Sequence, residues 1–155
     1  MDDIEAIRQL KYRYFRYLDT KRFADLGELL TDDVTTAYDG GNLSQRGRGE
    51  VVAFLEQSIG DGAIITMHNG HHPEIDVSGD EATGIWYLED KVVIPAADLV
   101  ISGTALYEDR YVRGASGWRI AHTGYTRIFE EHRTHASGEL RSLKTRFEDS
   151  GSGRR

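Results

Sequence analysis

Past Gly60 the chain carries four long runs of strand-forming residues, about Ile64 to Val77, Ala82 to Ile94, Leu99 to Arg113 and Trp118 to Glu130. Only Ser78-Gly79-Asp80, a loop at Pro95 and the stretch Gly114 to Gly117 separate them; connections this short favour antiparallel neighbours. Before Gly60 the periodicity is helical. Ile4, Ile7, Leu10, Tyr14, Tyr17 and Leu18 share one helix face,. The pattern breaks at Asp19-Thr20-Lys21 and resumes with Phe23, Leu26, Leu29 and Leu30 as a short second helix, which Asp19 or Thr20 is placed to cap,. A short strand, Val34 to Tyr38, leads into a turn at Asp39-Gly40-Gly41-Asn42,. Val51, Val52, Leu55 and Ile59 then mark a third helix that stops at Gly60,. Helices first and strands afterwards indicate an α+β fold in which a strongly bent sheet wraps the three helices and can enclose a pocket.

The 155 residues suffice for one domain,. Its folded part is expected over residues 1–132, followed by a polar tail over 133–155 that is expected to be mobile apart from a weak helix between Glu139 and Phe147,. Twenty-six acidic residues against 19 basic ones give a net charge of −7, which would repel a phosphate backbone, so nucleic acid is not an expected partner,. Without cysteine there is no disulfide, thiolate catalysis or zinc–thiolate site,. No apolar segment approaches bilayer-spanning length, so no membrane association and a cytoplasmic location are expected,.

Alternation along the second long strand puts Ala82, Gly84, Trp86, Leu88, Asp90 and Val92 on one face,. A carboxylate among apolar neighbours is costly unless paired, and desolvation raises its pKa towards a range useful for proton transfer. Asp90 is therefore either functional or half of a structural pair. On the preceding strand Thr66, His68, Gly70 and His72 share a face, with Ile65, Met67, Ile75 and Val77 on the other,. His68 is suited to accepting a proton near neutral pH if an acceptor orients its ring, and otherwise it is a hydrogen-bonded wall residue. Asp19 closes the first helix, where the dipole disfavours a carboxylate. It either caps the next helix or holds an imidazolium. Tyr14 and Tyr38 present hydroxyls that need partners, and Arg127 is either a surface charge or an oxyanion stabiliser.

Six histidines raise the question of a metal, but consecutive strand residues such as His71 and His72 point to opposite faces,. No phosphate-cradling or dinucleotide-binding glycine pattern and no Gly-x-Ser-x-Gly motif is present,.

The chain resembles the SnoaL-like branch of the nuclear-transport-factor-2-like superfamily, most closely the bacterial bile-acid 7α-dehydratases. The resemblance lies in Asp3 to Lys11, Tyr14-Phe15-Arg16 with Leu18-Asp19, Met67-His68 with Gly70-His71, Pro73-Glu74-Ile75, Ala82-Thr83-Gly84, Trp86 to Asp90, and Thr123-Gly124-Tyr125 with Arg127-Ile128 and Glu130-Glu131-His132. It implies a cone built from a bent sheet and three helices, and a catalytic set of His68, Asp19, Tyr14, Asp90 and Arg127. It also implies a substrate wall that includes Tyr38, Trp86 and Leu88. His72 and His122 stand where the bile-acid enzymes carry other side chains, and with a shortened loop near Pro95 they are expected to reshape the pocket wall and rim. The implied reaction is elimination of water from a small, apolar, hydroxylated steroid-like or polycyclic molecule, without metal or organic cofactor. The nearest alternatives are an isomerase with the same pocket and a non-catalytic ligand-binding or assembly domain. A homo-oligomer, trimer or dimer, is expected.

Overall fold

A computed structural model of the chain describes residues 2–147. Helix α1 (Asp3–Asp19) starts where the Asp2 carboxylate accepts the Glu5 backbone N–H, and Asp3 and Glu5 in its first turn complement the helix dipole,. Its buried stripe is Ile7, Leu10, Lys11, Tyr14, Phe15 and Leu18. The chain turns at Lys21, whose φ is +57°, into the short helix α2 (Phe23–Gly27). Leu29 and Leu30, expected to continue this helix, leave it: the Leu29 carbonyl accepts from Ile120 N–H, and Leu30 opens strand β1 (Leu30–Ala37). A single turn of 3₁₀ helix (Asp39–Gly41) and helix α3 (Arg48–Ile59) follow.

Four long strands complete the cone: β2 (Ile65–Ser78), β3 (Glu81–Ile94), β4 (Leu99–Gly114) and β5 (Gly117–Arg133). They pair antiparallel in the spatial order β2-β3-β4-β5, while β1 lies parallel to one end of β5. The fold is thus α+β with a mixed, curved sheet.

Two expectations for the C-terminal stretch are corrected. Residues 140–145, expected as a weak helix, form strand β6 (Leu140–Thr145), which runs antiparallel to residues 129–133 of β5. The expected mobile tail is a paired hairpin through Thr145, because β5 offers a free edge beyond the end of β1 and polar residues satisfy a ladder as well as apolar ones; residues 148–155 lie outside the described residues.

Bulges in β2 and β5 decide which side chains face the cavity. On β2, His72 and Pro73 stand opposite the single residue Trp86, and His72 adopts a left-handed φ of +48°,. The face therefore reverses: Thr66, His68 and Gly70 point inward before the bulge, whereas Ile75 packs on the core after it. Uninterrupted alternation assigned Ile75 to the opposite face from His68. On β5, Ile128 is the extra residue between the pairs Ala105–Arg127 and Thr104–Phe129.

Candidate active site

The last residue of α1 supplies a carboxylate to the first inward stretch of β2. Asp19 Oδ1 accepts from His68 Nδ1 at 2.6 Å and from Thr66 Oγ1 at 2.8 Å, and its Oδ2 accepts the His68 backbone N–H at 2.9 Å. Three donors compensate the unfavourable position at a helix C-terminus. The capping alternative falls, since Arg22 occupies the N-cap of α2 without a side-chain bond. With Nδ1 donating to the carboxylate, Nε2 is left as the basic nitrogen of His68. Phe15 lies parallel to the imidazole, its centroid 6.3 Å away, and Gly70 makes room for it: a Cβ there would come within 2.4 Å of the Phe15 ring.

His68 opens onto a cavity of about 330 Å³ between α1, α3 and the sheet, within the usual range for small-ligand pockets. Its apolar lining comes from Leu18, Leu43, Phe54, Leu55, Ile59, Val92 and Ile101. Four tyrosines, Tyr14, Tyr38, Tyr107 and Tyr125, also line it. The Tyr14 and Tyr38 hydroxyls are 2.7 Å apart, and Tyr125 packs against both Tyr38 and Tyr107. Burial is the chief reason that the phenols of Tyr14, Tyr38 and Tyr107 are held well above their ordinary pKa, with neighbouring tyrosines adding to it. These groups stay protonated and act as neutral hydrogen-bond donors.

Across the cavity Arg127 grips Asp90 with both terminal nitrogens, at 2.5 and 2.8 Å. Its Nε lies 2.9 Å from Glu130 Oε2, a charge contact whose angle is too poor for a hydrogen bond. Burial alone would lower the Arg127 pKa, but Asp90 more than offsets this and keeps the guanidinium charged,. Asp90, only 5% exposed, is thus half of a pair, yet that pair is part of the cavity wall.

Four expected contacts lie elsewhere. Trp86 is fully buried beneath the cavity and donates its indole N–H to Tyr111, and Leu88 is sealed in the same core. Both share the face of Asp90, but core side chains cover them and the pocket does not reach them. His72 is carried by its bulge into a shallow outer groove with His71, Tyr87 and Glu89. His122 also lies outside the cavity, its Nδ1 2.7 Å from Thr35 Oγ1. Below the cavity Lys11 and Asp109 form a fully buried pair at 2.7 Å, with the ammonium over the Tyr107 ring. Burial lowers the Lys11 pKa while Asp109 opposes the shift.

The N-terminal four-fifths of the chain, residues 1–124, match the SnoaL-like domain family. The chain belongs to that family. Among solved structures this SnoaL-like domain is similar to the Kfla4162 protein of Kribbella flavida, at 26% identity and a TM-score of 0.73, over 83% of this chain and 93% of that one. An NTF2-like protein with a cystatin-like fold from Novosphingobium aromaticivorans is 22% identical, at a TM-score of 0.68, over 81% and 82%. The ActVI-ORFA protein of Streptomyces coelicolor is 21% identical at the same TM-score, over 80% of this chain and 96% of that one. The family includes cyclases, dehydratases and isomerases, and its cone is a small-ligand-binding fold. No helix among the described residues of this SnoaL-like domain is long and apolar enough to cross a membrane.

Sequence reasoning missed Tyr107, Tyr125 and Glu130. Tyr107 had a signal, since the parity rule on β4 groups Ala105, Tyr107, Asp109 and Tyr111, all buried,. Glu130 had none: it shares the cavity with Arg127, three residues away, because the Ile128 bulge shifts the phase of the strand.

Proposed function

We propose that this SnoaL-like domain is a cofactor-independent dehydratase acting on a small, apolar, hydroxylated steroid-like or polycyclic ketone. The observation that carries the reading is the Asp19–His68 dyad opening onto a cavity whose wall combines apolar side chains, four tyrosines and the Arg127–Asp90 pair. His68 Nε2 removes a proton next to, or vinylogous to, a carbonyl, and Asp19 holds the imidazolium that results. The carbonyl oxygen gains negative charge as the C–H bond breaks. The protonated phenols of Tyr14 and Tyr38 and the guanidinium of Arg127 are the donors available to it,. The electron pair then forms the new double bond, and the hydroxyl departs as water after taking the proton back from His68 Nε2, which restores the neutral imidazole. Asp90 fixes Arg127 in its bidentate grip,.

The test is incubation of the purified protein with a panel of hydroxylated steroid and polycyclic ketones in deuterated water, followed by mass spectrometry. Loss of water that falls by about 10²- to 10⁴-fold in His68→Gln supports the reading. Deuterium incorporation without loss of water marks an isomerase. Binding with neither outcome marks a ligand-binding domain.

The convex side of the sheet exposes Ile65, Met67, Ile85, Tyr87 and Phe129, which supports a homo-oligomer formed through that face; light scattering would give its size.

A further inference from the structure

The charge of the Arg127 wall depends on a residue at its rim. Glu130 reaches Arg127 with one carboxylate oxygen, and its other oxygen lies 2.6 Å from His132 Nε2. The Ile128 bulge sets this up, because it returns Glu130 to the face of Arg127, and His132 follows at the next even position of β5. Gly103 stands between the two carboxylates in register, paired with Asp90 on one side and Glu130 on the other. It can carry no side chain, since a Cβ would come within 2.3 Å of the Phe129 carbonyl oxygen.

On the cavity side two carboxylates face one guanidinium, so with a neutral His132 these three groups sum to a net negative charge; Lys144, opposite Glu130, and Arg146, whose Nε bonds the Arg127 carbonyl, lie in an outer groove and do not line the cavity. An oxyanion placed there would be repelled. A protonated His132 balances the second carboxylate and leaves Arg127 free to act as a cation. We infer that His132 is a positioning residue that switches the Asp90–Arg127–Glu130 wall between accepting and rejecting an oxyanion. This rests on the reading of the cavity as an oxyanion-forming site.

The groups around His132 leave the switch to this imidazole. On its own strand it faces Glu130, and Arg133 pairs with Glu131. Strand β4 presents Ile101 opposite it. Strand β6 presents Ser142 opposite it and Lys144 opposite Glu130, and Arg141 pairs with Asp98. The Lys, Arg and carboxylate groups hold their charge through neutral pH, whereas histidine changes charge between about pH 5 and 8. Of the other histidines nearby, His135 is exposed and bonds Asp98 through its backbone, and His68 lines the same cavity.

The probe is picrate (2,4,6-trinitrophenolate), which is fully ionised through this range, titrated calorimetrically. His68→Gln removes the second imidazole of the cavity and serves as the background. Its affinity for the phenolate is expected to fall about tenfold between about pH 5 and 8, the scale of one unit charge acting over roughly 10 Å at an effective dielectric near 20. H68Q/H132Q should bind weakly with a flat profile, and H68Q/E130Q, which lacks the second carboxylate, should bind about tenfold more tightly than H68Q at pH 8. By linkage, phenolate binding should also move the titration of the His132 ring protons, followed by NMR in the otherwise unaltered protein, to higher pH. An unchanged slope in H68Q/H132Q, or a His132 titration indifferent to phenolate, would overturn the switch alone. Phenolate binding that survives Arg127→Met at full strength would overturn the oxyanion reading of the cavity, and the switch with it.

Discussion

The concave side of the sheet holds two cation–carboxylate clusters that differ in one respect. Lys11 and Asp109 have no exposed side-chain surface at all; Arg127 and Asp90 are nearly as buried, at 15% and 5%, but border the cavity. The first is closed in by Tyr107, Tyr111 and Thr123, and its partners are all part of the core. The second ends in Glu130 and His132 at the rim. Similar pairing chemistry thus serves the fold where core side chains cover it and the site where it borders the cavity.

The contrast is sharpest in stability. Lys11→Met leaves Asp109 as an uncompensated buried charge and should cost about 3–5 kcal/mol in urea unfolding, whereas K11M/D109L, which removes both charges, should recover most of the loss. A single variant as stable as the parent would break the distinction.

Arg127→Met should instead lower turnover by about 10²- to 10³-fold, the scale of losing one oxyanion donor, with a smaller stability loss than K11M because water can enter from the cavity. Arg127→Lys should not restore activity, since an ammonium lacks the fork that Asp90 grips.

The buried phenols between the two clusters give the next effect. Tyr14, Tyr38, Tyr107 and Tyr111 keep their protons in the folded state at pH values where the unfolded chain loses them. The folded state then binds more protons, so stability is intact below about pH 10 and falls as pH rises beyond it. The slope approaches about 1.4 kcal/mol per pH unit for each phenol that stays protonated, measurable as a falling Tm in alkaline melts.

Tyr14→Phe removes only the hydroxyl that meets Tyr38 and should cost about 1 kcal/mol of stability,. A markedly larger loss in turnover than in stability would assign that hydroxyl to the substrate.

The helices, the four long strands and the inward face of β3 are legible in the sequence, because apolar periodicity records which side of an element is buried and each element is long enough to repeat its pattern. The dyad was legible as two candidates, His68 with the right parity and Asp19 at an unfavourable helix end. Their meeting was not, since 49 residues separate them. The parity rule failed at His72 and Ile75, where a single-residue bulge reverses the face of β2, and the similar bulge at Ile128 that turns Glu130 inward on β5 leaves no mark in composition either. It also overreached at Trp86 and Leu88: alternation says that a residue points inward, but not how far the cavity extends along the cone.

What the chain determined locally is therefore a set of amphipathic elements and the chemical types available on their inner faces. Tertiary structure alone decided which of those groups share a cavity, which are sealed beneath it and where strand β6 finds its edge. Such outcomes depend on register, bulges and the closing of the cone, all set by contacts between segments far apart in the chain.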